Sequence, residues 1–210
     1  YNAFPLEKTA KLCGMSVQAA QDNRYKLFCA LKILDEQVRL KGNVVIDETY
    51  VPVSYKGNYN NENKKTDRKS HKRGGENSTP GVSKNQVCVA CALDEDGNSV
   101  ARVAGVAGGS IMKLDYAFGD SIDKEFIDVI YSDGSYAIKG YANKKKIPIK
   151  SGKLLKKNKK PAQNIVYNSE TLTINRYLQR INSYHSRLKK FVDSFNGLSS
   201  RYLAGYMYLF

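Results

Sequence analysis

The sequence predicts an α/β protein: a mixed β-sheet flanked by helices and preceded by a small helical module. Three observations carry that reading. Residues 1–40 place apolar side chains at helical spacing. From residue 43 the period changes to short β-branched and apolar runs. Near the C-terminus, residues 170–195 carry one continuous apolar stripe at three- and four-residue spacing.

The bulk numbers bound the function. A chain of 210 residues is long enough for one ordinary domain plus a small extra one, and its 15 tyrosines and 7 phenylalanines favour a packed core over disorder. No apolar run approaches the roughly 20 residues needed to cross a bilayer, and no secretory signal pattern is present. The first residue is Tyr1 rather than Met, which suggests a fragment or a processed form. Net charge is +14, from 34 basic and 20 acidic residues. Such an excess is self-repelling until a polyanion relieves it. With no basic amphipathic helix bearing a wide apolar face, nucleic acid is the better candidate than a membrane surface. Charge alone would give binding that is blind to sequence and steeply salt-dependent.

The four cysteines are too few for a disulfide scaffold of this length. Cys88 and Cys91 form a C-x-x-C, but they sit in Val87-Cys88-Val89-Ala90-Cys91-Ala92-Leu93, a strand-like run in which residues three apart face opposite sides. No second C-x-x-C completes a zinc site. Free thiols point to a reducing, cytoplasmic setting.

Element by element, Leu6–Cys13 reads as a short helix broken by Gly14, and Ser16 as the cap of a second helix whose apolar positions are Val17, Ala20, Leu27, Leu31 and Leu34. Helix, glycine turn, helix is the shape of a helix-turn-helix. Gln18, Gln21, Asn23, Arg24 and Lys26 would line its outer face, with groups suited to base edges and phosphates. A plain helical hairpin is the structural alternative. Val44 to Val51 reads as a strand. Residues 55–83, rich in Lys, Asn, Gly and Ser, read as a long basic loop. Gln86–Leu93 and Ser99–Val106 are strands joined by the turn Asp94-Glu95-Asp96-Gly97-Asn98. Residues 110–118 read as a helix, 126–132 as a strand ending at Asp133-Gly134, 135–143 as a helix and 147–149 as a short strand. A second basic stretch spans residues 144–160. A long helix over 170–195, capped by Asn168 or Ser169, is followed by Gly197 and a further helix over 199–210. Three antiparallel strands, helix, strand, helix, strand, long helix is the element order of the ribonuclease-H-like fold. The implied domains are a helix-turn-helix module over 1–40 and a catalytic domain over 41–210.

Asp47 lies inside an apolar strand, and an unpartnered buried carboxylate costs several kcal/mol. A metal, a basic partner or an edge facing water would each offset that cost. Asp133 follows a strand end, where ligands gather in helix-covered sheets, although Asp-Gly is also a common turn pair. In the long helix, Ile174, Leu178, Ile181, Leu188, Val192 and Phe195 form the stripe, and His185 falls within it, as a core histidine would. Asn182 and Lys189 lie beside the stripe, seven residues apart and so on one face, about 10 Å apart along the axis. Two carboxylates and one further oxygen donor suit two Mg²⁺ or Mn²⁺ ions roughly 4 Å apart, rather than zinc.

Several local phrases resemble bacterial insertion-sequence transposases. Val45-Ile46-Asp47-Glu48-Thr49-Tyr50 resembles their first-Asp strand. His185-Ser186-Arg187-Leu188-Lys189-Lys190-Phe191 followed by Gly197-Leu198-Ser199-Ser200-Arg201-Tyr202-Leu203 resembles the C-terminal signature of one branch, in which Asn commonly replaces Glu as third catalytic residue with Lys seven residues later. The N-terminal helices resemble the family's helix-turn-helix. The similarity spans nearly the whole chain and is least specific around Asp133. It implies Asp47, Asp133 and Asn182 as catalytic metal ligands for Mg²⁺ or Mn²⁺. It implies Lys189 as a contact to the DNA backbone, with Arg187, Gln21, Arg24 and Lys26 as further DNA contacts. Double-stranded DNA, as element ends and target, is the implied partner, bound by at least a dimer, with no membrane and no small-molecule substrate. The family's amino-terminal zinc ribbon is expected upstream of Tyr1. A non-catalytic DNA-binding protein (a repressor or decayed transposase) and a nuclease of the same fold are the competing functions.

Overall fold

β-Branched and apolar residues at consecutive positions make a strand that is buried on both faces, and Val44, Val45 and Ile46 are all fully buried. They belong to β1 (Gly42–Pro52), the middle strand of a five-stranded sheet in a computed structural model that describes residues 4–56, 82–153 and 168–210. On one edge β1 pairs antiparallel with β2 (Gln86–Leu93), which pairs antiparallel with β3 (Ser99–Val106). On the other edge β1 runs parallel to β4 (Ile127–Ser132), and β4 parallel to β5 (Ile149–Ser151). The sheet order is β3-β2-β1-β4-β5. Sequence reading placed the first four strands within a residue or two. The fifth begins later than expected. Pro148 has no N–H to give a ladder, and its carbonyl accepts from Ile130 (2.8 Å) before β5 starts.

The helices are α1 (Leu6–Cys13), α2 (Val17–Glu36), α3 (Ile111–Phe118), α4 (Tyr136–Lys145), α5 (Ser169–Asp193) and α6 (Leu203–Met207). Their starts follow the expected caps. Ser16 accepts from the Ala19 amide (3.1 Å) and Asn168 from the Thr171 amide (2.8 Å). Gly14 closes α1 in the left-handed region, at φ 63°. In the β2–β3 turn, Asp94 accepts from the Asn98 amide (2.8 Å), and Gly97 supplies φ 95°. The single C-terminal helix expected over 199–210 is instead a 3-10 turn, Ser200–Tyr202, followed by α6. The basic loop expected over 55–83 lies for residues 57–81 outside the described residues, as do residues 154–160 of the second basic stretch.

The sheet separates two cores. On one face, α5 and α6 with Phe28 of α2 pack on Val45, Val89, Cys91 and Tyr131. On the other, α3 and α4 pack on Val44, Ile46, Cys88, Ala90 and Ile130. Cys88 and Cys91 thus face opposite sides, as the period of two requires, and both thiols are free and buried. No helix among the described residues is long and apolar enough to cross a membrane.

Helix α2 corrects the sequence reading. Val17, Leu27 and Leu34 are exposed, while Ala20, Arg24, Phe28, Leu31 and Asp35 turn inward at three- and four-residue spacing. The polar members of that face are tied to the body. Phe28 meets the Tyr206 ring edge-on at 4.9 Å, an approach that Gly205 permits, since a Cβ there would lie 2.2 Å from Phe28 Cδ2. Asp35 meets Arg102 of β3. Arg102 Nε donates to Asp35 Oδ2 (2.5 Å), Nη1 to the Ala117 and Phe118 carbonyls (3.0 and 3.1 Å), and Nη2 to the Asp35 carbonyl (2.6 Å) and Ser121 Oγ (3.0 Å). One guanidinium thereby satisfies orphan carbonyls at the ends of two helices and joins both to the sheet.

Both side chains of this pair are only 15% exposed. Removing one partner leaves the other charge buried and uncompensated. Arg102→Ala is expected to lower unfolding free energy in urea by about 3–5 kcal/mol; a loss under about 1 kcal/mol would show that the pair is not a structural tie.

Candidate active site

The β1–β4 pairing brings two carboxylates together. Val44 is level with Ile130 and Val45 with Tyr131. Two residues further along this parallel register, Asp47 lies beside Asp133, at the end where β4 stops and α4 begins. A period of two puts Asp47 on the face of Val45, which α5 covers. Asp133, just past the strand, is exposed and accepts from the Ser135 amide (3.0 Å).

Asp47 is enclosed. Its Oδ1 accepts from the Glu48 amide (2.8 Å), and its Oδ2 stands 3.7 Å from His185 Nδ1. Burial, and then the like charge of Asp133, push Asp47 up to about 7, against the Glu48 amide and the Lys189 charge. Glu48 points the other way, with Oε2 accepting from the Tyr50 hydroxyl (3.3 Å). Among the described residues its Oε1 is buried without a partner, and Gly109 passes so close that a Cβ would lie 2.2 Å from it. Burial raises Glu48 as well, and Asp133 adds to the rise. Lys113, which donates to the Val106 and Gly108 carbonyls, acts against it.

On α5, His185 and Lys189 reach this end of the sheet. Burial pulls His185 down to about 4, with Lys189 assisting. The 3.7 Å approach therefore joins a neutral imidazole to a carboxyl group that keeps its proton, although the spacing would also fit an ion pair; in either form the couple holds one proton from about pH 4 to pH 7. Asn182 is exposed, one turn before His185 at the edge of the same face, and among the described residues its side chain has no hydrogen-bond partner; its carbonyl accepts from Ser186 Oγ (3.0 Å). The structure thus gathers Asp47, Asp133 and Lys189, while Asn182 lies on the exposed side of the same helix with no hydrogen bond to either aspartate among the described residues. His185, which reads as an ordinary core residue from its place in the stripe, stands 3.7 Å from Asp47. Glu48 was also passed over; two successive acids inside an apolar strand were the available signal.

The expected DNA contacts separate. Lys26, Arg187 and Lys189 are exposed, with Arg187 lying 5.7 Å over the Tyr184 ring. Gln21 is half-buried, its amide 3.5 Å from the Tyr202 hydroxyl. Arg24 does not line the outer face of α2: it donates to the Phe4 carbonyl (2.8 Å), Thr9 Oγ1 (2.9 Å) and the Tyr206 hydroxyl (3.0 Å) and works as an internal tie. A groove of about 540 Å³ runs beside it, lined by Tyr25, Lys26, Arg201 and Tyr202 among others.

The donor set fits a hard divalent cation in charge and chemistry, because carboxylates crowded enough to resist ionisation are relieved by one. Among the described residues, no three His, Cys, Asp or Glu side chains are grouped to hold a metal. Comparison of the chain with models of known families, with characterised proteins and with solved structures gave no match.

The opposed shifts have a signature. Asp47, raised from 3.8 to about 7, favours the folded state when protonated, so its contribution is lost as pH rises from about 4 to 7. His185, lowered from 6.5 to about 4, favours the folded state when neutral, so its contribution is lost as pH falls from 6.5 to 4. The two oppose each other in the native chain. Without divalent cations and relative to the native chain's own trend, His185→Asn is expected to lose roughly 3 kcal/mol of stability between pH 4 and 6.5, and Asp47→Asn to gain roughly 4 kcal/mol between pH 4 and 7. Urea denaturation across this range reads both; slopes of the same sign in the two variants would contradict the assignment.

Proposed function

We propose that this chain is a metal-dependent DNA transposase whose catalytic core follows the ribonuclease-H-like arrangement. The observation that carries the reading is the parallel β1–β4 register, which sets Asp47 and Asp133 side by side at one end of a five-stranded mixed sheet, with α5 across it. The resemblance of the β1 and α5 phrases to insertion-sequence transposases supports it, as does the net charge of +14.

Asp47, Asp133 and Asn182 would hold Mg²⁺ or Mn²⁺. Bound there, such ions activate a water or 3′-hydroxyl for attack on a phosphodiester and neutralise charge at the leaving oxygen. The chain's own residues do the rest. Asp47 presents its carboxylate from a rigid central strand, and Asp133 presents one from the start of α4, so both are positioned before DNA arrives. Lys189 stands over the same end of the sheet, where it can meet a phosphate. Lys26 and Arg187 extend the cationic surface, and Lys26 with Gln21 stands where a helix-turn-helix would read DNA. Arg24, turned inward, is left out of that surface.

Strand cleavage and joining on a labelled duplex bearing the element's end, with Mg²⁺ or Mn²⁺, tests the reading. The native chain is expected to join strands, and Asp133→Ala to lose roughly a thousandfold or more, the equivalent of several kcal/mol of transition-state charge stabilisation. Cleavage without joining would make the chain a nuclease of the same fold. Tight binding with no cleavage by either protein would make it a non-catalytic DNA-binding protein.

Asn182 leaves the site one charge less negative than three carboxylates would. An active Asn182→Glu variant is expected to reach half-maximal rate at lower Mg²⁺ than the native chain; equal requirements would count against Asn182 as a donor.

A further inference from the structure

Three side chains among the described residues bury a polar atom without a hydrogen-bond partner, Glu48, Tyr141 and His185, and of these His185 stands against Asp47. It projects from α5 into a core of Val45, Cys91, Leu178, Ile181 and Leu188, and is only 7% exposed. Its Nε2 is buried with no hydrogen-bond partner among the described residues. A buried imidazole that satisfies nothing costs about 1–3 kcal/mol against an apolar residue of similar size, so packing alone does not explain a histidine at this position. On Nδ1, Asp47 Oδ2 stands at 3.7 Å, and the Lys189 charge also acts on the ring.

We infer that His185 is a positioning residue for Asp47: its Nδ1–H holds Oδ2 while the Glu48 amide holds Oδ1, so that the carboxylate is fixed from both sides with its remaining lone pairs free for a cation. The inference rests on the metal reading above. Three features of the geometry support it. The Glu48 amide already occupies one lone pair of Oδ1 at 2.8 Å, which leaves Oδ2 as the oxygen that needs an anchor. His185 comes from α5 and Asp47 from β1, so the contact also sets how deep the helix sits over the strand. The spacing exceeds a hydrogen bond by several tenths of an ångström, and such contacts are commonly long in unliganded sites and tighten when the site fills. With Nδ1 carrying the hydrogen, Nε2 is left as an acceptor, and among the described residues it has no hydrogen-bond partner.

The test exploits the reach of two amides. From the same backbone, an Asn side chain carries its N–H near the place of Nδ1, and a Gln side chain carries its own near Nε2. Mn²⁺ binding to the free full-length chain is measured by electron paramagnetic resonance, without DNA, for the native protein, His185→Asn, His185→Gln and the Asp47→Asn control, with thermal melting as the check on folding. The expected result is that His185→Asn binds within about threefold of the native chain, while His185→Gln binds about tenfold or more weakly, the usual scale for losing a group that orients a metal ligand. Equal affinities in the two variants, or retention by Gln rather than Asn, overturn the inference and leave the metal reading standing. No Mn²⁺ binding by the native chain overturns both. Should His185→Gln not fold, His185→Leu, which fills the space without a donor, is read in its place with the same expected loss.

Discussion

The pairing of β1 on both of its edges is the constraint on which the rest of the molecule hangs. As the middle strand it has no free edge, so its register is set twice, against β2 and against β4. A slip of one residue would exchange the side chains of Val44 and Val45 between the two cores and turn Asp47 away from α5. The antiparallel partner β2 is held on its other edge by β3, through a short turn closed at Asp94 and Asn98. The parallel partner needs a crossover, which α3 supplies by packing on the sheet face opposite α5. The positions of both aspartates follow from the same ladder that builds the hydrophobic layers.

That placement has an electrostatic consequence. Asp47, Glu48 and Asp133 lie at one end of the sheet, and burial disfavours ionisation of Asp47 and Glu48 more than the nearby lysines favour it. Folding alone would not bury those two there, because each is a cost to the empty protein. A site that is unfavourable by itself and favourable with a cation is what a metal-dependent phosphodiester chemistry requires, and the proposed transposase activity uses the arrangement in that sense. The surrounding apolar packing keeps the geometry fixed, since the α5 stripe that seats His185 is the same stripe that closes the core.

Elsewhere the polar ties are structural. Arg102 and Arg24 both emerge from segments that look like surface, and both are spent inside: one on Asp35 and the carboxyl end of α3, the other on the N-terminal segment and Tyr206. Through them the two N-terminal helices are fastened to the sheet and to the C-terminal helix. A cationic residue on a helix can be a DNA contact or a clamp, and the difference lies in whether a carbonyl or carboxylate from a distant part of the chain meets it.

The sequence by itself determined the elements, because hydrophobic period, caps and turn residues act over a few neighbours: the strands Gln86–Leu93 and Ser99–Val106, the caps Ser16 and Asn168, and the buried stripe of α5 all follow from local pattern. It also singled out Asp47, Asp133, Asn182 and Lys189, since a carboxylate in an apolar strand and a polar pair beside a helical stripe are visible in one dimension. Only the tertiary structure decided which face of α2 is buried, for Leu27 and Leu34 satisfy the helical period as well as Phe28 does, and the choice belongs to Tyr206 and Gly205 at the far end of the chain. It alone decided that Arg24 is internal and that His185, rather than merely filling the core, stands against Asp47. Each of those outcomes involves a partner more than a hundred residues away, Tyr206 for Phe28 and Arg24, and Asp47 for His185, and pairwise contact across such a separation leaves no trace in local periodicity.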